Sequence, residues 1–218
     1  MSEDLEQIRL RMAAFKAAGL PAEMKVHFRP SAVLIPIYVK DGEVRIILTK
    51  RSTQVRHHKG QISFPGGRRD AGESPMECAL RESEEELGLR RDQIRVLGRL
   101  DETLVISNYR IRPFVGEIVE PPALRVSDVE IEQVFDVPLR TFIDPAIYSF
   151  SLNEYQGALV PMHFYRAAFE GAAPEDVVWG ATGRILTQFL HVVFGYLGPA
   201  FREYLSQGDH DPFLTGIR

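Results

Sequence analysis

Three glutamates, Glu82, Glu85 and Glu86, stand at spacings i, i+3 and i+4 in the run Arg81-Glu82-Ser83-Glu84-Glu85-Glu86-Leu87-Gly88. A helix turns about 100° per residue, so these positions share one face about 100° wide and three carboxylates are expected to converge. Like charges so placed cost a helix about 0.2–0.5 kcal/mol per pair, and more beside an apolar wall. A hard divalent cation reverses that sign. Magnesium or manganese suits an all-carboxylate site, whereas zinc would normally recruit His or Cys. The chemistry such an ion can serve is to neutralise negative charge and to lower the pKa of a bound water. An ordinary solvated acidic face is the alternative that these three residues leave open.

The element that must present them is well specified. Ser74-Pro75-Met76-Glu77 combines an N-cap hydroxyl, a proline whose fixed φ suits the first helical position, and a glutamate that can complete a capping box. Gly88 supplies the stop. Met76, Ala79, Leu80, Ser83 and Leu87 form a neighbouring stripe expected to face the core, which places the acids along its edge, at a cleft. Cys78 lies between the cap and Glu82 and is expected to be a small packed residue rather than a nucleophile.

Read from Gly67, the chain gives Gly, five residues, Glu73, seven residues, then Arg81-Glu82-Ser83-Glu84-Glu85-Glu86-Leu87-Gly88-Leu89. This resembles the box of the Nudix hydrolase family, in which only Ser83 departs, an aliphatic residue being usual there. The resemblance implies hydrolysis of a pyrophosphate linkage in a nucleotide derivative. It implies Glu82 and Glu86 as direct metal ligands, Glu85 as a further ligand or the base that deprotonates water, and a carbonyl from the Gly66-Gly67 turn completing the shell. Arg81 resembles the family's orienting arginine and Glu73 its partner, while the glycines would let backbone approach the phosphates.

Upstream, Leu48-Thr49-Lys50-Arg51-Ser52 followed by Arg56 and by Gly60 leading to Phe64-Pro65-Gly66-Gly67 is similar to the added signature of the coenzyme A pyrophosphatase branch, Lys50 replacing a usually small residue. Pro113-Phe114-Val115-Gly116, Val134-Phe135-Asp136-Val137-Pro138-Leu139 and Trp179-Gly180-Ala181-Thr182 extend that similarity over roughly residues 30 to 200. The branch implies cleavage of coenzyme A or an acyl derivative to adenosine 3′,5′-bisphosphate and a 4′-phosphopantetheine product. Arg51 and Arg56 are the guanidinium groups expected to bind substrate phosphate. His57 and His58 lack a helical ligand spacing and are expected to hydrogen-bond or lie exposed. Glu130 and Glu132 stand where Nudix proteins sometimes bring another acid to the metal or water. Trp179 could stack a base, although a packed core aromatic is the preferred reading. ADP-ribose, dinucleotides and nucleoside triphosphates are the rival substrates, and a non-catalytic nucleotide sensor is the rival from another class.

Around the site, the fold expected is α/β, a Nudix-type α/β/α sandwich with a mixed sheet. Residues 4 to 18 read as a helix within an N-terminal extension over 1–30. Two β-rich runs, Ala32 to Val39 and Val44 to Thr49, flank an Asp41-Gly42 hairpin signal. A short strand at 62–64 and a Pro65-Gly66-Gly67 turn precede the glutamate helix. Strands are expected near 94–101, 109–119, 131–137, 147–152 and 159–169, and a single packing helix near 182–205. One domain over 1–218 is expected, since nothing reads as a linker. Lys+Arg of 26 against Asp+Glu of 30 leaves a net charge of -4, which offers no field for duplex DNA or an anionic membrane. One cysteine excludes an internal disulfide framework. An acidic start and no long apolar run lead to the expectation of a soluble cytoplasmic protein, with a homodimer left open on the last helix.

Overall fold

The computed structural model describes residues 2–20, 28–53, 59–105, 107–155 and 157–208. Its first register is set by the Asp41-Gly42 turn, where φ is 52° and 82°, as a two-residue hairpin of matching twist requires. Strand β1 (Arg29–Lys40) pairs antiparallel with β2 (Glu43–Arg51) from Lys40↔Glu43 to Ile37↔Ile46. Beyond that point the two strands part. Strand β3 (Ile62–Ser63) takes the edge of β2 opposite Thr49 and Lys50. Strand β4 (Gly66–Arg68) takes the edge of β1 opposite Ser31 to Val33. The link between them is pinned by the Leu34 N–H donating to the Pro65 carbonyl at 2.9 Å. A notch therefore opens between β1 and β2, and the glycine turn sits in it.

The rest of the sheet is built outward from this pair. On β1, β7 (Tyr109–Ile118) runs parallel, and β5 (Ile94–Arg99) and β6 (Thr103–Val105) pair antiparallel with β7. On β2, β8 (Ile131–Pro138) is antiparallel, with a bulge between Lys50 and Arg51. A three-stranded sheet of β9 (Tyr148–Tyr155), β10 (Ala158–Arg166) and β11 (Val177–Val178) follows, its β11 lying alongside β3.

Helices cover both faces, giving the α/β/α layering expected. Helix α1 (Glu3–Ala14) and helix α3 (Gly180–Phe194) pack on one face, over a core that includes Ile35, Ile37, Ile46, Leu48, Ile62, Val178 and Phe189. The glutamate helix α2 (Pro75–Leu87) covers the other. Its Cys78, Ala79 and Leu80 meet Ala32, Leu34 and Phe114, and its Leu87 meets Tyr38, Ile47 and Ile118. Small residues at 78 and 79 let the helix lie close to the sheet.

Several boundaries differ from expectation. The first helix ends at Ala14, because Phe15 is already extended at φ −70°, ψ 127°. The single C-terminal helix is two: α3 closes at Gly195 in the left-handed region (φ 64°), and α4 (Pro199–Ser206) restarts after Gly198. A Cβ on Gly198 would stand 1.9 Å from the Tyr148 ring, so the chain passes the ring only with glycine there. Strands β4, β6 and β11 went unforeseen because two or three residues carry no periodicity.

Candidate active site

Helix α2 starts as its cap residues dictate. The Ser74 hydroxyl accepts from the Glu77 N–H at 3.2 Å and the Glu77 carboxylate accepts from the Ser74 N–H at 2.9 Å. It ends at Gly88, φ 69°, where the neighbouring loop takes over its last carbonyls: the Arg125 N–H donates to Leu87 and the Ser127 N–H to Glu86. That loop ends at Glu130, whose carbonyl accepts from the Ser52 N–H at 2.8 Å. The C-terminal end of the helix is thus tied through this loop to β2 beside the notch.

Within the helix the three carboxylates separate. Glu86 is 2% exposed, accepting at one oxygen from the Gly66 N–H at 3.2 Å and at the other from Arg51 at 3.3 Å. Burial raises its proton affinity, to a pKa of about 7. Glu82 is also mostly buried and lies over Gly67, where a Cβ would fall 2.4–2.5 Å from its carboxyl atoms. Its pKa is raised too, again chiefly by burial. Glu85 points outward, 58% exposed, and pairs with Arg81 at 2.9 Å. The expected three-way convergence is thereby corrected to a pair: Glu82 and Glu86 face Gly67 and Gly66 of the turn, while Glu85 stays on the exposed side with Arg81. Among the described residues no three His, Cys, Asp or Glu side chains are gathered into a ready metal cluster. Met76 is likewise corrected: it is exposed, and Glu86 occupies the buried position instead.

Arg81 is the hub of the outer layer. It donates from Nε to Glu73 at 2.9 Å, contacts Glu82 and Glu85 at 2.9 Å each, and donates to the Arg68 carbonyl at 3.2 Å. Glu73 is held below the usual carboxylate range by that guanidinium. Glu73 also accepts from the Asp70 N–H, so the turn after β4 and the helix are tied through one side chain. Cys78 is buried and its thiol is pushed up to about 11, first by burial, which leaves it protonated and inert.

The upstream motif divides at the bulge. Arg51, at the end of β2, turns to the α2 side, between Glu86 and Glu130, the latter at 3.9 Å. Lys50 turns away, to Asp176 at 2.9 Å and Glu132 at 3.8 Å. Consecutive strand residues face opposite sides of a sheet, so the two cations part here. Glu130, and not Glu132, therefore faces the site. Arg56, with His57 and His58, lies outside the described residues. Gly66 and Gly67 occupy the notch, Gly66 at φ 153° with no room for a Cβ against the Ala32 carbonyl. Trp179 is 41% exposed, which corrects the packed-aromatic reading.

The acids at the notch are two mostly buried carboxylates, Glu82 and Glu86, whose proton affinity burial raises even beside Arg81 and Arg51. Such a pair fits a hard divalent ion. A family model described as the NUDIX domain matches residues 27–146. The chain belongs to the Nudix hydrolase family. It is 32% identical over 171 residues to Nudix hydrolase 3 of Caenorhabditis elegans, covering 73% of this chain and 71% of that protein. It is 31% identical over 169 residues to the Nudix hydrolase NudL of Escherichia coli K12, covering 75% and 82%. The crystal structure of the Nudix hydrolase RenU from M. smegmatis superposes with a TM-score of 0.46 at 22% identity, over 53% of this chain and 74% of that one. Nudix hydrolases generally use divalent metals such as Mg2+ or Mn2+. Among the described residues no helix is long and apolar enough to cross a membrane.

Proposed function

We propose that this Nudix hydrolase cleaves the pyrophosphate bond of coenzyme A or an acyl-coenzyme A, giving adenosine 3′,5′-bisphosphate and 4′-phosphopantetheine or its acyl form. The observation that carries the reading is the placement of Arg51, from the upstream motif, at 3.3 Å from the buried Glu86 on the glycine turn. A substrate phosphate entering this notch meets a guanidinium fixed beside the acids.

Glu82 and Glu86 are the residues that would hold Mg2+ or Mn2+, with a carbonyl of the Gly66-Gly67 turn. The ion supplies charge neutralisation on the diphosphate and a lowered pKa for water. The remaining work belongs to the chain. Arg51 offers paired N–H donors to a non-bridging phosphate oxygen. Gly66 lets the turn pack against β1, and Gly67 leaves room for the Glu82 carboxylate on the turn. Arg81, braced by Glu73, sets the direction of Glu82. The water oxygen forms a bond to one phosphorus, the bridging P–O bond breaks, and its electron pair leaves on the other phosphate. Glu130, beside Arg51, and Glu85, once released from Arg81, are the carboxylates we propose to take the released proton.

The test is product analysis with coenzyme A and ADP-ribose side by side, with and without a chelator, on the wild type and Glu86→Gln. The two named products should appear from coenzyme A only with metal, and Glu86→Gln should lower turnover about 100-fold or more while the protein stays folded. Equal or faster cleavage of ADP-ribose would overturn the coenzyme A reading. Binding of coenzyme A without products would make the chain a sensor instead.

A further inference from the structure

Each of the two acids at the glycine turn already faces a cation. Glu82 meets Arg81 at 2.9 Å and Glu86 meets Arg51 at 3.3 Å. The two arginines are held very differently. Arg81 also reaches Glu73 and Glu85 at 2.9 Å each and the Arg68 carbonyl at 3.2 Å, so losing Glu82 alone does not release it. Among the described residues the Arg51 side chain has, besides Glu86, only Glu130 at 3.9 Å, which is beyond hydrogen-bond reach. The Arg51 main chain is fixed: its N–H donates to the Gln61 carbonyl and its carbonyl accepts from the Gly60 N–H, both at 3.0 Å. Movement is therefore left to the long side chain, which is 24% exposed. The other oxygen of Glu86 accepts from the Gly66 N–H at 3.2 Å. That donor is held in place, because Gly66 pairs with Val33 in the β1–β4 ladder and packs against the Ala32 carbonyl. Of the two donors on Glu86, Arg51 is the one able to withdraw.

We propose that Arg51 is an exchangeable counter-ion: a divalent ion binding Glu86 displaces the guanidinium, which turns outward beside Glu130 and becomes the donor for the substrate phosphate. This rests on the reading that Glu86 holds the metal. Glu86 is 2% exposed, so its charge requires a compensating cation, and Arg51 supplies one until the ion does. The two cations exclude each other. A divalent ion on Glu86 stands next to the guanidinium where little water screens their repulsion, and that repulsion exceeds what one hydrogen bond of 3.3 Å returns. Turned outward, the guanidinium lies by Glu130, which is 47% exposed, at the open side of the notch. One arginine thus serves two anions in turn, and metal binding precedes capture of the phosphate.

The test follows both partners through a Mg2+ titration, by nitrogen NMR of arginine side chains and carbon NMR of glutamate carboxylates, with Arg51→Lys and Glu86→Gln assigning the signals. The Arg51 guanidinium should shift and lose its restricted rotation at the Mg2+ concentration that shifts the Glu86 carboxylate, while Arg81 keeps its restricted rotation. Addition of the non-cleavable α,β-methylene analogue of ADP should restore the restriction at Arg51. In calorimetry without nucleotide, Arg51→Gln should bind Mn2+ about tenfold tighter than the wild type, the contribution of one charge-assisted hydrogen bond. An Arg51 signal that stays unchanged while Glu86 responds overturns the exchange and leaves the hydrolase reading intact. Binding of Mn2+ to Arg51→Gln no tighter than to the wild type does the same. A titration that moves neither Arg51 nor Glu86 removes the metal reading together with the exchange.

Discussion

Gly67 and Glu82 use the same space. A methyl group at 67 would fall 2.4–2.5 Å from the Glu82 carboxyl atoms, yet that carboxylate is the far end of a flexible side chain and can swing aside. The cost of Gly67→Ala therefore lands on the ligand and spares the fold. We expect the variant to keep its melting temperature within a few degrees while Mn2+ affinity, followed by calorimetry, falls about tenfold or more. Unchanged affinity would show that Glu82 does not need its present position. The identity of the acids was legible from spacing, but their unequal fates were not. Glu85 pairs with Arg81 one turn earlier on its own helix, whereas Glu86 is buried because Gly66 and Arg51 close over it, and one helix face cannot reveal neighbours that come from other strands.

At the scale of elements, the alternation of strand side chains sends Lys50 and Arg51 to opposite sides of β2. The Lys50–Asp176 pair ties the segment before β11 to that strand, and Asp176 also accepts from the Ala173 N–H. Both partners are mostly buried, so removing one strands the other. Lys50→Met should destabilise by about 2 kcal/mol, below the usual figure for a buried pair because Lys50 keeps some exposure. The double variant Lys50→Met, Asp176→Asn should lose clearly less than the two single losses added, measured by urea unfolding; additive losses would show that the pair is not coupled. Lys50 looked like a departure from a pattern in the sequence. In the fold it is half of a tie between two sheets, and no local signal names Asp176 as its partner.

On the scale of the whole molecule, the three-stranded sheet closes over α3 and α4 through buried polar groups. His163 on β10 is fully buried, bonded at Nδ1 to the Tyr148 hydroxyl at 2.9 Å and packed edge-on against Phe201 of α4. Burial depresses its pKa to about 3. The folded protein therefore keeps His163 neutral, while the unfolded chain takes up the proton below about pH 6.5. Stability from this group is present above about 6.5 and is lost as pH falls toward about 3, amounting to about 2 kcal/mol lost by pH 5. His163→Gln should flatten the acid side of the stability profile between pH 7 and 5, read as urea midpoints. Parallel profiles would show that His163 does not set the slope.

Local chemistry determined much of this protein in advance. The capping box, the Asp41-Gly42 hairpin, the glutamate spacing and the family membership all depend on residues near each other in the chain, where backbone preference and side-chain reach decide the outcome. Other features required the chain to be closed. The parting of β1 from β2, the delivery of Glu130 to Arg51 and the break at Gly195 to Gly198 each depend on a partner tens of residues away. Burial and competition between distant charges chose among positions that spacing alone left equivalent.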